Sequence, residues 1–457
     1  MMLLEQLHEK RILVIGLGVT GASVVRYLHS MQVSFDVVDE HTRPSAQLRD
    51  CLLGVQVHEV LDASLCCAYD VLVVSPGVPR SLPALQAAIE QGAEVIGDIE
   101  LFAHAIGDTP VIAVTGSNGK STVVSWIAHV LKACGKPAKL CGNIGLPALD
   151  SIDSEAELYV LELSSYQLES TSSLQALSAT VLNVSDDHMD RYESIEHYAA
   201  TKRRIYNACS HSIVNRDDRR TWVNPEQDSG EPASDSQRPT ENEIAFSINS
   251  TKMADYYLSD AANDAWLCHG DTQLVQRSRL QNPGSHNVAN ALAVLALLEP
   301  VALNMKAQIS GLSSFPGLEH RTEFVLEQQG VRWYNDSKGT NIDACKKAIE
   351  AMDGPVVLIA GGLGKGADFK ALRDVVQKHV KALVLIGEDA ALIKHALSGT
   401  TDIFMEHSLN DAVQRCAELS SDGDVVLLSP ACSSFDMFEN FEKRGILFKQ
   451  AVETIAA

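Results

Sequence analysis

Short apolar runs rich in β-branched residues alternate with amphipathic helical patterns along most of the chain. From Arg11 onward, strands are predicted at 12–15, 35–38 and 71–74, and a helix between the first two ends near Ser30. Strands and helices that alternate in this way are typical of a parallel sheet covered by helices. The first hundred residues therefore predict an α/β domain.

The same rhythm starts again twice. A second set begins at Val111, and its further strands and helices are expected at 158–161, 179–183, 121–134, 194–209 and 286–299. A third set begins near Arg321, with strands expected at 356–359, 382–386 and 425–428. The pattern predicts three consecutive α/β domains at 1–97, 98–317 and 318–457, of which the first and last are Rossmann-like and the central one is of the P-loop type with a mainly parallel sheet.

One long segment interrupts the second set. Residues 224–243 are polar and rich in proline, serine and acidic residues. Such a composition cannot bury enough apolar surface to build a core. We interpret the segment as a mobile surface loop without a catalytic role.

Composition narrows the class of function. Of the 457 residues, 46% are hydrophobic and 21% are charged, which suits a globular protein with several cores. The formal net charge of −22 repels nucleic acid and anionic membranes, so neither is an expected partner. The ten cysteines lack paired C-x-x-C spacing, and no stretch reaches about 18 uninterrupted apolar residues. We expect a cytoplasmic, monomeric protein with reduced thiols, no membrane insertion and small-molecule substrates.

A first glycine-rich turn lies between the first predicted strand and helix. Gly16, Gly18 and Gly21 have dinucleotide-binding spacing, and Asp39 ends the next strand. Glycines let a diphosphate approach the backbone, and the helix N-terminus favours its charge. The turn predicts a site for NAD or another nucleotide diphosphate, and a purely structural tight turn is the alternative.

A second glycine-rich turn follows the strand at Val111. Gly116 and Gly119 enclose only two residues, so the turn is a shortened variant of the Walker pattern. Lys120 begins a segment with helical apolar spacing. Backbone amides, this lysine and the helix dipole can hold a triphosphate, while Ser121 or Thr122 reaches its Mg²⁺.

Two further polar residues follow strands of the same predicted sheet. Glu162 closes one strand and His188 follows another. Ligands of open α/β sheets bind beyond the carboxyl ends of the strands, so both residues are expected to face the site of Lys120. A satisfied loop histidine and a solvated glutamate are the alternatives for each residue taken alone.

Lys202 lies on the apolar stripe of the helix predicted at 194–209, among Ile195, Tyr198 and Ile205. Burial disfavours an ammonium and lowers its pKa, which leaves a nucleophilic amine. Such an amine can take up CO₂ to form a carbamate, an oxygen ligand for a divalent metal. The alternative is a lysine that snorkels from the edge of the helix.

At this point several segments resemble the Mur ligases of peptidoglycan synthesis. They cover nearly the whole chain, in the order that the family has, and lie at 115–122, 162–167, 186–190 with Lys202, 286–290, 317–321, 335–341, 361–369 and 429–441. The resemblance implies an ATP-dependent ligase that joins D-glutamate to UDP-N-acetylmuramoyl-L-alanine. The carboxylate is first phosphorylated to an acyl phosphate, which the amine attacks through a tetrahedral intermediate.

The resemblance also implies site residues. Catalytic roles fall to Lys120, His188, Lys202 and Lys338. The residues expected to bind ATP are Thr115, Gly116, Ser117, Asn118, Gly119, Lys120, Ser121, Thr122, Asn287, Asn290, Arg321 and Asp336, with Arg321 and Lys338 completed by domain closure. The residues expected to bind the UDP substrate are Gly18, Thr20, Asp39, Ser75, Pro76, Gly77, Asn143, Ser164 and Gln167. The residues expected to select the amino acid are Thr340, Lys365, Ser434 and Phe441.

Two Mg²⁺ sites are implied, which Mn²⁺ can also fill. Ser121 and Glu162 are expected to hold one ion, and His188 with carbamylated Lys202 the other. One departure concerns the uracil contacts, because Glu40 and His41 stand where the family often has Thr-Arg. Other classes remain open: a Mur-type ligase with another amino acid, a P-loop kinase, an NAD-dependent oxidoreductase, or a nucleotide-gated binding protein.

Overall fold

The computed structural model describes residues 7–40, 48–187, 189, 191–223, 242–249, 254–259, 265–281 and 284–456. The chain divides into two compact units. One comprises Met1–Pro283 with Asn287–Phe315, and the other Gly284–His286 with Pro316–Ala457. Among the helices within the described ranges, none has both the length and the apolarity that a membrane crossing requires.

The first unit begins with a five-stranded parallel sheet in the order β3-β2-β1-β4-β5. Its strands are β1 (Ile12–Ile15), β2 (Asp36–Val38), β3 (Val57–His58), β4 (Val71–Val74) and β5 (Glu94–Ile96). The helices are α1 (Val19–Ser30), α2 (Ala63–Cys66), α3 (Pro83–Glu90) and α4 (Asp98–Ile106). Every residue of β1 and β4 is buried, as expected for central strands covered on both faces.

A nine-stranded sheet follows in the same unit, in the order β14-β13-β12-β11-β10-β9-β6-β8-β7. Its strands are β6 (Val111–Thr115), β7 (Lys139–Gly142), β8 (Tyr159–Glu162), β9 (Ser178–Val181), β10 (His211–Asn215), β11 (Glu243–Ser247), β12 (Tyr256–Leu258), β13 (Trp266–His269) and β14 (Thr272–Gln276). The helices are α5 (Lys120–Ala133), α6 (Ser165–Glu169), α7 (Ile195–Arg203), α8 (Ser285–Leu298) and α9 (Met305–Ser314). Pairing is parallel as far as β12 and antiparallel at β13 and β14.

The second unit contains a six-stranded sheet in the order β15-β16-β20-β17-β18-β19, with one antiparallel pair at β15 and β16. Its strands are β15 (Glu323–Gln328), β16 (Val331–Asn335), β17 (Val356–Gly361), β18 (Val380–Ile386), β19 (Asp402–Met405) and β20 (Val425–Leu428). The helices are α10 (Ile342–Glu350), α11 (Arg373–His379), α12 (Ala390–Ala396), α13 (Leu409–Leu419) and α14 (Phe441–Ala456).

Three successive α/β sheets thus appear where the apolar rhythm predicts them. The helix predicted at 194–209 is shorter, because regular α-helix ends at Arg203 and a 3-10 turn, Arg204–Tyr206, follows. The predicted loop at 224–243 is wrong at its end, where Glu243 already pairs in β11. Residues 224–241 lie outside the described residues. Additional 3-10 turns occupy Leu149–Ser151, Arg219–Thr221, Arg277–Arg279, Glu299–Val301 and Phe369–Leu372.

Candidate active site

Two glycines shape the turn between β6 and α5. Gly116 has a φ of +153° and Gly119 a φ of +86°, a region that other residues rarely adopt. A Cβ on Gly119 would also lie 2.8 Å from Oδ1 of Asn290. Helix α5 begins at Lys120, and the glycine before it has no side chain to cap the first amides. These amides are therefore suited to bind a phosphate.

Two lysines converge on one carbonyl of this turn. Nζ of Lys120 donates to the carbonyl oxygens of Gly116 at 2.6 Å and Ser117 at 3.0 Å. Nζ of Lys202, from α7, donates to the same Gly116 oxygen at 3.0 Å and approaches Oγ1 of Thr115 at 3.5 Å. The turn thus gathers two amino groups beside its backbone.

Lys202 is 1% exposed, so its amine does not reach solvent as a snorkelling lysine would. Burial, and next the charge of Lys120, lower its pKa well below the usual 10.5, although Asp187 and Glu162 act in the opposite direction. The Nζ atom lies 4.5 Å from the ring centroid of Tyr198. The side chain is therefore held as a buried amine that readily loses its proton.

Glu162 ends β8 and is 2% exposed. Its Oε1 accepts a hydrogen bond from Nδ2 of Asn143 at 2.8 Å, whereas Oε2 is buried without a hydrogen-bond partner among the described residues. A buried carboxylate oxygen left in this way is unfavourable unless a cation or donor meets it. Asn143, predicted to bind the UDP substrate, holds this carboxylate in place.

These groups fit a hard divalent cation. Besides Glu162, the buried Ser121 lies in the first turn of α5, and oxygen ligands of both kinds suit Mg²⁺. His188 lies outside the described residues. Within the described part of the chain, no three His, Cys, Asp or Glu side chains group as a metal site. The predicted ligand set differs from such a group because it includes a hydroxyl and a modified lysine.

Sequence reasoning missed the residue that fixes the phosphate-binding turn. The side chain of Asn183 accepts from the Asn118 amide at 2.9 Å and donates to the Asn118 carbonyl at 3.1 Å. The Ser117 amide donates to the Asn183 carbonyl at 2.9 Å. Oγ of Ser117 also donates to the Ser185 carbonyl at 3.1 Å. The position of Asn183 just beyond β9, at the edge where ligands of α/β sheets bind, is the signal that identifies it.

Asn290 lies beside the same turn. It is 7% exposed, and its Nδ2 donates to Oδ1 of Asn287 at 3.4 Å. Both are on α8. The close approach of Asn290 to Gly119 brings the second part of the predicted ATP site to the first.

The first glycine turn has a different polar environment. The Leu17 amide donates to Oδ2 of Asp39 at 2.5 Å, and Oγ of Ser75 donates to the Gly16 carbonyl at 3.1 Å. A Cβ on Gly21 would lie 1.8 Å from the Gly16 oxygen, whereas a Cβ on Gly18 would meet open space. Gly21 is therefore required by packing, and Gly18 leaves room for a ligand. The structure brings Asp39, which the spacing pointed to, and Ser75, which the resemblance implied, to the same turn.

A second residue that sequence reasoning missed is Arg191. Its guanidinium donates to the Pro76 carbonyl at 2.9 Å and the Val78 carbonyl at 3.3 Å. It also forms an ion pair with Glu169 at 2.6 Å and lies 4.1 Å from the ring centroid of Tyr166. The predicted UDP-substrate residues 75–77 are thereby tied to the central sheet. The sequence feature that could have identified Arg191 is its position directly after the 186–190 motif.

Ser164 and Gln167, both predicted to bind the UDP substrate, form a capping box at the start of α6. Nε2 of Gln167 donates to Oδ2 of Asp98 at 3.1 Å, and Gln167 is 3% exposed. Burial raises the pKa of Asp98 to about 6, although the bond from Gln167 lowers it. These side chains therefore join α6 to α4.

In the second unit, Asp336 follows β16 and is buried. Its carboxylate accepts from the Thr322 amide at 3.0 Å and from Oγ of Ser429 at 2.7 Å. Burial raises its pKa to about 6, against the hydrogen bonds and the nearby charge of Arg321. Arg321 and Asp336, both predicted to bind ATP, thus lie close enough to interact.

Lys338 and Phe441 are also brought together. Nζ of Lys338 lies 3.8 Å from the ring centroid of Phe441. Arg444, which sequence reasoning missed, is 1% exposed and donates to Oγ of Ser337 at 2.9 Å, the Ser337 carbonyl at 2.8 Å and the Cys432 carbonyl at 3.2 Å. It therefore fixes the 336–340 turn against the 429–434 segment.

The other predicted amino-acid ligands differ in exposure. Ser434 is 2% exposed, and Thr340 is half-buried in the turn after Asp336. Lys365 is exposed, adopts a φ of +50°, and places its Nζ 5.8 Å from the Phe435 ring centroid. Thr340 and Ser434 therefore lie on the two segments that Arg444 joins, and Lys365 lies on the 361–369 turn.

Comparison with known families covers most of the chain. The family described as "Mur ligase MurD-like, N-terminal domain" matches residues 10–97, "Mur ligase middle domain" matches 114–298, and "Mur ligase, glutamate ligase domain" matches 320–432. The matched ranges contain both glycine turns, the two converging lysines and the 336–340 turn.

Curated relatives match over nearly their full length. The UDP-N-acetylmuramoylalanine--D-glutamate ligase of Pseudomonas syringae pv. tomato is 44% identical over 451 residues, covering 97% of this chain and 98% of the relative. The enzyme of the same name from Nitrosococcus oceani is 43% identical over 453 residues, covering 97% and 96%.

Solved structures share the fold at low identity. A pseudomurein peptide ligase type C from Methanothermus fervidus has a TM-score of 0.62 at 16% identity, covering 98% of this chain and 100% of the other. A UDP-N-acetylmuramate-alanine ligase from Thermotoga maritima has a TM-score of 0.60 at 18% identity, with the same coverage. The predicted three-domain α/β fold is confirmed.

Proposed function

Because this chain belongs to the Mur ligase family, whose members are ATP-dependent amide ligases, we propose that it joins D-glutamate to UDP-N-acetylmuramoyl-L-alanine. The products are the extended UDP precursor of peptidoglycan, ADP and phosphate. Relatives that carry this activity in their names match across the whole chain at 44% and 43% identity. A match to a glutamate ligase domain at 320–432 supports the choice of amino acid.

The observation that carries the proposal is the phosphate-binding turn at Gly116. Lys120 begins α5, whose first amides have no side-chain cap, and its Nζ lies 2.6 Å from the Gly116 carbonyl oxygen, in a chain whose formal net charge is −22. A carboxylate and ATP repel each other, so phosphoryl transfer between them needs concentrated positive charge. We assign the amides at the start of α5 and Lys120 to the γ-phosphoryl group, which they hold while the substrate carboxylate attacks phosphorus and ADP leaves.

The resulting acyl phosphate reacts with the amine of D-glutamate. The amine attacks the acyl carbon, the tetrahedral intermediate expels phosphate, and the nitrogen gives up a proton, so the amide bond forms. We assign Arg321, Asp336 and Lys338 to the nucleotide, and Thr340, Lys365, Ser434 and Phe441 to the amino acid. Division of the chain at 97 and 317 into UDP-substrate, ATP and amino-acid domains belongs to the same proposal.

We assign Ser121, Glu162, His188 and Lys202 to two divalent cations. A bound Mg²⁺ neutralises the phosphoryl oxygens and the attacking carboxylate. The unpartnered Oε2 of Glu162 is the atom that supports this assignment. Asn143 orients that carboxylate through Oε1.

Lys202 is proposed to carry a carbamate. Its neutral amine adds to CO₂, a nitrogen–carbon bond forms, and a proton is released to water. The product is an anion, so an oxygen ligand takes the place of the neutral buried amine. Near-complete burial and a lowered pKa favour the neutral amine that this reaction needs.

The reaction can be tested with an isotope label. UDP-N-acetylmuramoyl-L-alanine with an ¹⁸O-labelled carboxylate is incubated with ATP, Mg²⁺ and either D- or L-glutamate. We expect one ¹⁸O atom in the released phosphate with D-glutamate only. Unlabelled phosphate would contradict the acyl-phosphate route, and turnover with L-glutamate would contradict the choice of amino acid. Cytoplasmic location and a monomeric state stay predictions.

A further inference from the structure

A polar groove separate from both glycine turns lies where the first sheet meets the central sheet. Its volume is about 620 Å³. The segment after β4 contributes Arg80, and the central part of the unit contributes Glu169, Arg191, His197 and Arg204. The proposed reaction uses none of these side chains directly.

The charges of this groove do not balance. Glu169 is already occupied, because both its oxygens accept from Arg191 and Oε1 also accepts from the Tyr192 hydroxyl at 2.7 Å. Arg80 donates to the carbonyls of Val95 and Glu169. Arg204 donates to the carbonyls of Leu168 and Thr171. Among the described residues that line the groove, two guanidinium groups therefore lie beside one carboxylate, which Arg191 already engages.

The two arginines meet at the end of α6. Nε and Nη2 of Arg204 donate to Leu168 at 2.7 Å and Thr171 at 2.9 Å, and Nη1 of Arg80 donates to Glu169 at 3.1 Å. Carbonyls at a helix C-terminus favour such donors. Each guanidinium has five N–H groups, so each retains donors beyond these bonds.

The charge of Arg204 also acts on Arg80. Burial first, and then the charge of Arg204, lower its pKa from the usual value, while Glu169 acts in the opposite direction. Two cations held close together in a protein of net charge −22 are stabilised by an anion between them.

We propose that this groove binds a compact dianion, of the phosphate-ester or dicarboxylate kind, between Arg80 and Arg204. Guanidinium groups pair with phosphate and carboxylate oxygens through two parallel hydrogen bonds. His197 and Thr201 also line the groove, and both are on α7, the helix that carries Lys202 at the phosphate-binding turn. A bound dianion therefore links the segment after β4 to the helix that positions Lys202.

Equilibrium dialysis with ³²P-labelled inorganic phosphate tests the proposal on the full chain. Saturating Mg²⁺ with a non-hydrolysable ATP analogue occupies the phosphate-binding turn, and saturating UDP occupies the first glycine turn, so that only other sites are counted. We expect one phosphate per chain, displaced by malonate and not by acetate at equal ionic strength. The double variant Arg80→Ala, Arg204→Ala should weaken binding at least about tenfold, since each lost charged pair is worth a factor of that order.

Arg203→Ala is the matched control, because Arg203 is the neighbouring arginine and donates instead to the Arg220 carbonyl at 3.0 Å. Its phosphate binding should equal that of the native chain. Arg204→Lys keeps the charge, and should retain more binding than Arg204→Ala if the double variant is unstable. Absence of phosphate binding, or equal binding by the native chain and the double variant, would show that the arginines only cap α6. Neither result bears on the proposed ligase activity, which the isotope-label assay measures separately.

Discussion

The two glycine turns of the first unit have the same local architecture and opposite chemistry. Each connects a buried parallel strand to a helix, at Gly16–Gly21 and at Gly116–Gly119. Beside the first, the Asp39 carboxylate accepts from the Leu17 amide. Beside the second, two lysines approach the Gly116 carbonyl. The backbone offers amides in both places, and the side chains decide which ligand each turn accepts.

An acidic side chain at the first turn favours hydroxyl and N–H donors of a nucleoside, as in other dinucleotide-binding folds. The ammonium of Lys120 at the second favours phosphoryl oxygens and charge that develops during transfer. A glycine turn thus lets a ligand approach the backbone amides, and the side chains on the following strands and helices determine which ligand binds. Substitutions at and around each turn test this distinction.

The largest effect is expected from Lys120→Ala. Loss of the amine at the second turn should lower kcat by about 10³-fold, because it removes charge that acts on the transferred phosphoryl group. Steady-state assays with Gly18→Ala provide the contrast at the first turn, where a Cβ meets open space. That variant should change the KM for the UDP substrate and leave kcat within about threefold of the native value. Equal loss of kcat in both would end the distinction between the turns.

Lys202→Ala should lower kcat by about 10²-fold, since it removes a group beside the phosphate-binding turn. If the native residue is a carbamate, short carboxylic acids should restore part of the activity. In ¹³CO₂, the native chain should show a carbamate signal by ¹³C NMR, and the variant should lack it. Full activity of Lys202→Ala without additives would contradict both the carbamate and the role of the second amine.

Arg191→Ala should affect binding of the UDP substrate more than binding of ATP. Its bonds to the Pro76 and Val78 carbonyls position residues 75–77. We expect the KM for the UDP substrate to rise roughly tenfold, the loss that one charged hydrogen bond implies, with the KM for ATP unchanged. Arg191→Lys retains the charge without the forked geometry. Its KM for the UDP substrate should lie between the values of the native chain and of Arg191→Ala. A matching rise in both KM values would mean that Arg191 stabilises the whole unit instead.

The smallest effect on catalysis is expected from Asp98→Asn, and it appears in stability. Folding raises the pKa of Asp98 to about 6 from a usual 3.8, so the folded chain binds its proton more tightly than the unfolded chain. Native stability therefore falls as pH rises from about 4 to about 6, by up to about 3 kcal/mol for this group. We therefore compare the difference in free energy of unfolding between Asp98→Asn and the native chain at each pH. This difference should favour the variant more at pH 7 than at pH 4.

Denaturant unfolding at both pH values measures this difference, and Glu100→Gln gives a control of opposite sign. Burial opposes ionisation of Glu100, but hydrogen bonds from Ser172 and Ser173 together lower its pKa. Its contribution is present above pH 4.5 and lost as pH falls, so Glu100→Gln should be less stable than the native chain at pH 7. If the stabilities of both variants, relative to the native chain, changed in the same direction between pH 4 and pH 7, the predicted pH dependence of Asp98 would be contradicted.

Several parts of the candidate site follow from local sequence. The phosphate-binding turn, Glu162 at the end of β8 and the buried face of α7 all depend on periodicity and on the place of a residue relative to a strand. Asn183, Arg191 and Arg444 were missed because their partners lie far away in the chain. Arg191 reaches Pro76 and Arg444 reaches Ser337, separations of 115 and 107 residues.

The sequence by itself determined the three-part α/β organisation, the two glycine turns and the presence of a lysine on an apolar helical stripe. These properties are local, since they depend on alternation, spacing and the backbone freedom of glycine. Only the tertiary structure decided that Lys202 reaches the Gly116 carbonyl, that one oxygen of Glu162 has no hydrogen-bond partner among the described residues, and that Arg80 and Arg204 share a groove. Those properties depend on burial and on charges brought together from distant segments, which periodicity does not encode.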